Sequence, residues 1–426
     1  MFDEANEYNR VKFAEYQAKK VPFSEQLRQK TDKERKQLAA KYAAIASARR
    51  STDPDEIYFA GMLHWIAENM DMTAETLVRF IAGTEDATRR QNALAILVFV
   101  HAKLGKLDDA TKYYADYEKG AVKTSEIWRM NTEIAKGFIG KRDLENAAAY
   151  ASRGYAAAKE LIREPGSRVN PLDAALDAGM LVFEAHRSAN RIADADAVLN
   201  DLRQTAASIK HALLYFYATD KLITHQIDTG RKELAMETYL SSLIEAGKTV
   251  GTPQGNEAID RLKRREKHYK MLGEPATELF GIDKWFPGTQ RPLSEMKGKV
   301  VLLDFWATWC GPCFDAFPHF REWHADLSDK GLVILGITRY YGRGEGFDVD
   351  EPNEILFLKR FREKHALPYD FVVTKDQQLH GAYGAVALPT AILIDRKGVV
   401  RYIDTGSSPS RLEEMRAMVL KLIDEE

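Results

Sequence analysis

Cysteine is almost absent from this chain, with two residues in 426. That excludes a framework of structural disulfides and any zinc site built on four thiolates. An excess of charge is lacking too: 61 basic residues stand against 63 acidic ones, a net of −2. Nothing global therefore draws the protein to nucleic acid or to an anionic membrane. Long apolar runs are missing as well. The longest, Ala93 to Val100, is far too short to cross a bilayer. The opening Met-Phe-Asp-Glu-Ala-Asn is acidic and has no signal-peptide core, so the chain reads as cytoplasmic or as a form whose signal has been removed. Proline is sparse through residues 1–272, which hold no cysteine at all. The length and the 45% hydrophobic content suit two domains, each able to bury a core.

What cysteine there is sits in one place, Trp309-Cys310-Gly311-Pro312-Cys313. Two sulfurs at this spacing can bond to each other; one can attack a foreign disulfide and the other resolve the mixed disulfide that forms. Val300-Val301-Leu302-Leu303-Asp304-Phe305-Trp306 precedes them as a buried strand. After them Phe314, Phe317, Phe320, Trp323 and Leu327 recur at helical spacing, so a helix starts at or just before Cys313. Proline fits its first turn, and the positive end of a helix favours thiolate. This predicts Cys310 as the exposed attacking sulfur and Cys313 as the more buried resolving one. A zinc site needs two further ligands; no cysteine remains, and His319 and His324 fall on different faces of their helix. A permanently closed structural bridge over so short a loop adds little stability. Asp304, a lone carboxyl in an apolar strand, is costly to bury, and burial raises its pKa towards useful values.

From about Gly273 onward the residues resemble a known family. Lys297-Gly298-Lys299 leads into the strand and the Cys-Gly-Pro-Cys loop, and Pro318 follows in the helix. Leu332–Ile337, Ala382-Tyr383-Gly384, Leu388-Pro389-Thr390 and Leu393-Ile394-Asp395-Arg396-Lys397-Gly398 come after in order. The segment is similar to thioredoxin-fold thiol-disulfide oxidoreductases of the TlpA/ResA-like branch, with AhpC/TSA-type relatives. The resemblance implies that Leu388-Pro389 is a cis-proline turn facing the sulfurs and receiving an extended peptide. It implies that Asp304 relays a proton to Cys313, and that Trp309, Gly311 and Pro312 border the client site. Gly-Pro between the cysteines points to a reductase or exchange role over a strong oxidase. The sequence departs from the family at Ala316, where many members carry Glu, at Asp304, where relatives often carry Asn, and at Leu388, where Thr or Ile is commoner. A peroxidase motif is absent, since Ala307 and Leu303 stand where threonine and proline are required. Arg339 to Asp350 is a longer connection than usual, a substrate-binding loop or a flexible excursion.

Residues 1–272 are rich in Ala, Leu, Glu, Lys and Tyr at helical periodicity. Short turns recur at Leu104-Gly105-Lys106, Ile139-Gly140-Lys141, Ala189-Asn190-Arg191 and Thr229-Gly230-Arg231, each soon followed by a small alanine: Ala110, Ala147, Ala195 or Ala235. The region resembles degenerate tetratricopeptide-like repeats, which present a groove to peptides or partner proteins. Glycine is expected to make each turn. Tyr113, Tyr114, Tyr150 and Tyr155 read as core first and groove second. The basic run in Asn256–Met271 reads as a solvated face. Gly247-Lys248-Thr249 lacks the glycine of a phosphate loop, and the Gly342–Gly346 stretch lacks the spacing of a dinucleotide fingerprint.

The expected architecture is α+β and multidomain: an all-α, helical-repeat-like domain over 1–272, then an α/β thioredoxin fold over 273–426. The expected function is disulfide reduction or exchange in a protein client, with electrons from an external donor and with no cofactor, no metal, no nucleic acid and no membrane span. The helical domain would position a client or partner. The alternative is a redox-sensing adaptor in which the Cys310–Cys313 state controls partner binding. The resemblance favours a periplasmic or secreted mature form over a cytoplasmic one.

Overall fold

The computed structural model describes residues 1–164, 170–250, 253–344 and 346–425. They divide into two compact units, Met1–Leu202 and Arg203–Glu426. Among the described residues the first unit is all helix: α1 (Phe2–Ala18), α2 (Glu25–Ala48), α3 (Pro54–Ile66), α4 (Met70–Gly83), α5 (Ala87–Lys103), α6 (Leu107–Tyr117), α7 (Thr124–Gly140), α8 (Leu144–Leu161), α9 (Pro171–Ser188) and α10 (Ile192–Ser208), the last crossing into the second unit. Local chemistry starts several of these. Ser24, Asp53, Asn69, Asp86 and Asp143 each accept a backbone N–H of the first turn, and Pro54 and Pro171 occupy first-turn positions where no N–H is needed.

The helices fold back in pairs, and the backbone turns left-handed at Gly105 (φ 69°), Arg142 (φ 60°) and Asn190 (φ 55°). Glycine therefore makes the first of these turns but not the next two: Gly140 ends α7, and Arg142 takes the strained conformation two residues later. The alanine one turn into each return helix lies at the close approach; Ala110, Ala147 and Ala195 are fully buried. Tyr114 and Tyr155 are buried, and Tyr113 and Tyr150 pack partly buried against the cores, so these tyrosines are core residues.

The second unit opens with one more hairpin, α11 (Ala212–Asp228) and α12 (Lys232–Glu245), turning at Gly230 (φ 76°) over buried Ala235, and then α13 (Gln254–Met271). Strands and helices follow: β1 (Ile282–Phe286), β2 (Val300–Phe305), α14 (Gly311–Leu327), β3 (Leu332–Arg339), a small hairpin β4 (Arg343–Gly344) and β5 (Phe347–Asp348), α15 (Glu351–Lys364), β6 (Asp370–Thr374), α16 (Gln378–Ala382), β7 (Thr390–Ile394), β8 (Val400–Thr405) and α17 (Pro409–Asp424). The sheet order is β1-β6-β3-β2-β7-β8. β2 runs parallel to β3 and β3 to β6, while β7, β8 and β1 pair antiparallel with their neighbours. This is a mixed thioredoxin-like sheet, preceded in the chain by helices. The unit that carries it begins at Arg203 and includes α13, which donates from Arg265 to β8 and from Lys267 to α16, and whose His268 meets the Gly384 carbonyl.

Burial explains the β2 sequence. All six residues are buried, as a central strand covered on both faces requires. Side chains alternate across the sheet. Leu302 and Trp306 join Cys310, Cys313, Phe317 and Phe320 of the α14 side, with Leu358 and Phe361 from α15 and Met415 and Val419 from α17. Phe305 points to the other face, onto Tyr383 and His380. Each fully buried aromatic here contributes about 1.5–3 kcal/mol.

Candidate active site

The site is assembled where β2 ends and α14 begins. Cys310 is the N-cap of α14, Gly311 and Pro312 fill the first helical positions exposed to solvent, and Cys313 lies within the first turn. The two sulfurs are bonded to each other, with Cα atoms 5.4 Å apart. The Cys313 N–H donates to the Cys310 carbonyl at 3.0 Å, closing the turn. Both cysteines are buried, at 4% for Cys310 and 1% for Cys313. The predicted contrast between an exposed and a buried sulfur is therefore small in the oxidised state, because the disulfide ties Cys310 down against the core.

Asp304 lies under the same face. Strand alternation puts it with Leu302 and Trp306, on the α14 side, and its register partners are Gly336 on β3 and Ala391 on β7. Those two small neighbours leave the carboxyl room, and the Trp306 indole covers Gly336. Asp304 is 1% exposed, and its Oδ2 has no hydrogen-bond partner among the described residues. Burial alone pushes its pKa up to about 8. The group is thus a neutral acid at neutral pH, poised to give up a proton slightly above it. Tyr369 OH and Trp306 Nε1 are also buried without partners in this layer.

Leu388 and Pro389 lie immediately before β7, the strand that pairs with β2. Their peptide bond is cis. Leu388 is half-buried and packs against the cluster that contains both cysteines. The Pro389 carbonyl accepts from Gly406 N at 2.9 Å, and Thr390 Oγ1 donates to the Ala387 carbonyl at 2.7 Å. Between these ties, the Leu388 amide and carbonyl have no partner among the described residues. Val386, two residues earlier, is 81% exposed. A second cis bond, Phe286–Pro287, follows β1.

Trp309 is 60% exposed and meets the edge of Tyr341 at 5.4 Å. The Arg339 guanidinium lies over the same Tyr341 ring, 4.3 Å from its centre. Arg339 ends β3 and Tyr341 follows it in the long connection, and no sequence spacing links either of them to Trp309. The connection's described residues are held at two points: the buried Glu354 carboxylate accepts from Tyr341 N and Gly342 N, both at 2.9 Å, and β4 pairs with β5. Glu345 of the same stretch lies outside the described residues. Phe347, in β5, is exposed. A start signal for α15 was available in the sequence, since Asp350 caps it just before Glu351-Pro352.

The arrangement resembles known redox proteins in sequence as well. Residues 273–403 match the AhpC/TSA family. The chain is 34% identical over 142 residues to the thiol-disulfide oxidoreductase ResA of Geobacillus thermodenitrificans (strain NG80-2), a match covering 33% of this chain and 74% of that one. It is 31% identical over 149 residues to ResA of Bacillus anthracis, covering 35% and 78%. Among solved structures, the thioredoxin domain of a thiol-disulfide oxidoreductase from Bacteroides vulgatus is 22% identical, covering 35% of this chain and 97% of that one with a TM-score of 0.29. The chain belongs to the ResA-like thiol-disulfide oxidoreductases of the AhpC/TSA group. It is accordingly an enzyme of dithiol–disulfide exchange, and among its described residues no helix is long and apolar enough to cross a membrane.

Proposed function

We propose that the protein reduces or exchanges disulfides in a protein client through Cys310 and Cys313. The observation that carries this reading is the Cys310–Cys313 bond at the start of α14, on the sheet face that also holds a buried, unpartnered Asp304. In the reduced protein, the Cys310 thiolate at the helix N-terminus attacks a client sulfur. The client's other sulfur leaves as a thiolate, and Cys310 is joined to the client. The ionised form of Asp304, the minor one at pH 7, takes the Cys313 proton, and the resulting Cys313 thiolate attacks Cys310 Sγ. The client's second sulfur is expelled and the Cys310–Cys313 bond closes. An external dithiol returns the pair to the reduced state; as Cys313 leaves, protonated Asp304 supplies its proton.

In this reading the client strand lies along Leu388-Pro389, its backbone meeting the unpartnered Leu388 groups. Trp309, Gly311 and Pro312 flank the sulfurs on the opposite side, and residues 1–272 position the client or a partner. The relatives' extracytoplasmic setting is proposed for this protein also. Gly-Pro between the cysteines sets the direction as reduction. The midpoint potential of the pair, measured against glutathione or dithiothreitol buffers, is expected near the thioredoxin value of about −270 mV. A value near the strong oxidant range of about −120 mV would reverse the assigned direction.

A further inference from the structure

One face of α13 carries Ala258, Leu262, Arg265 and Tyr269 at helical spacing, continued by the C-cap Leu272, with His268 beside them. A guanidinium on a buried face needs partners, and Asp220 on α11 provides them. Arg265 Nε donates to Asp220 Oδ1 at 2.9 Å, and Tyr269 OH donates to the same oxygen at 2.6 Å. The guanidinium reaches the Ile403 carbonyl of β8 at 3.3 and 3.4 Å. It also lies 2.8 Å from His268 Nδ1. Arginine can only donate, so Nδ1 accepts and the ring proton sits on Nε2. Nε2 then donates to the Gly384 carbonyl at 3.0 Å. Burial, reinforced by the neighbouring guanidinium, holds the imidazole pKa down to about 4, so the ring stays neutral and keeps this tautomer.

Gly384 starts the segment that leads to Leu388-Pro389. Its φ is 65°, and a Cβ there would sit 2.8 Å from His268 Nε2, so glycine is required twice over. One residue before His268, Lys267 Nζ donates to the Gly381 carbonyl at 2.5 Å. Helix α13 therefore grips two carbonyls at the root of the segment, while Pro389 and Ala387 are tied at its far end. Between the grips lie exposed Val386 and the unpartnered backbone of Leu388.

We infer that His268, oriented by the Asp220–Arg265 pair, is a positioning residue for the Leu388–Pro389 turn, holding it in the shape that receives a client strand. This rests on the reading of that turn given above. His268 touches no reacting atom, so its loss acts on client binding through lost preorganisation and leaves the thiol chemistry alone.

The test uses the full chain with His268→Ala and His268→Gln; the glutamine amide can donate to Gly384 and accept from Arg265. Three quantities are read for each: KM and kcat for reduction of insulin, the midpoint potential of Cys310–Cys313, and amide hydrogen exchange at Gly384 and Ala385. For His268→Ala the expected result is KM raised about tenfold and exchange faster by about tenfold, with kcat and potential unchanged. His268→Gln should restore both to within about twofold of wild type. Faster exchange with unchanged KM would overturn the inference, and so would a joint fall in kcat and potential that glutamine does not rescue. If the wild-type protein reduces no insulin, the client reading fails on its own, and the exchange comparison decides the positioning: unchanged exchange in His268→Ala refutes it. Should His268→Ala not fold, Lys267→Met removes only the exposed tie to Gly381 and is expected to raise KM and exchange about threefold; no change in either refutes the inference.

Discussion

Cys313→Ser will hold a protein client covalently through Cys310, whereas Cys310→Ser will trap none. Both variants should lose turnover by at least about a thousandfold, because neither can complete the two-step exchange. The asymmetry follows from position in α14. Cys310 caps the helix, where the dipole and free N–H groups stabilise a thiolate, and Gly311 and Pro312 beside it are open to solvent. Both cysteines belong to the core that Trp306, Phe317 and Phe320 build, but Cys310 sits at its edge beside the exposed Trp309, Gly311 and Pro312, whereas Cys313 lies one turn further into the helix. When serine replaces Cys313, nothing expels the client from Cys310, and the adduct persists. Non-reducing electrophoresis and mass spectrometry after mixing with a disulfide-bonded protein will show it. Adducts on Cys310→Ser alone would reverse the roles.

Asp304→Asn is expected to slow turnover about a hundredfold at pH 7, the usual contribution of a positioned general acid or base. A carboxyl with a pKa of about 8 is closely matched to an ordinary thiol near 8.5, so a proton can pass between Asp304 and Cys313 in either direction at little cost. The same burial makes Asp304 a liability to the fold. The unfolded chain releases this proton from about pH 4 upward, while the folded chain keeps it until about pH 8. Stability is thus undiminished below the unfolded pKa, falls as pH rises between the two values, and is then constant. Each pH unit in that window costs about 1.4 kcal/mol, roughly 4–6 kcal/mol in all. Asparagine titrates nowhere, so denaturant unfolding of the oxidised proteins should show the variant gaining on wild type steadily from pH 5 to pH 8. Parallel stability curves would mean that Asp304 is ionised in the fold, and the assigned proton relay would fall with them.

The chemical centre was legible because its parts are local in sequence. An apolar strand, a Gly-Pro turn and a helix at 3.6-residue spacing place Cys310, Cys313 and Asp304 within ten positions of one another. The alanines of the helical hairpins were legible for a similar reason, since close helix approach needs a small side chain at a fixed offset from the turn. The turns themselves were harder to read. Whether Gly140 or Arg142 takes the left-handed backbone depends on where α7 stops, which neighbouring helices decide.

Contacts between distant residues stayed hidden. Tyr341 meets Trp309 only because Glu354 holds the turn after β3, and no spacing rule links those three residues. The basic run in α13 was read as a solvated face, yet Arg265 is paired with Asp220 on another helix and His268 reaches Gly384 in the sheet domain. A signal was present: Ala258, Leu262, Arg265 and Tyr269 share one face, continued by the C-cap Leu272, which placed a charged residue in line with four buried ones. What could not be read was the partner, because Asp220 and Gly384 lie far away in the chain.

The central claim is that Cys310 and Cys313 catalyse disulfide reduction, and dithiothreitol-driven reduction of insulin by the full chain tests it most directly. The account predicts turnover well above the uncatalysed rate in the wild-type protein and none above it in Cys310→Ser. Equal rates for wild type, Cys310→Ser and dithiothreitol alone would contradict it.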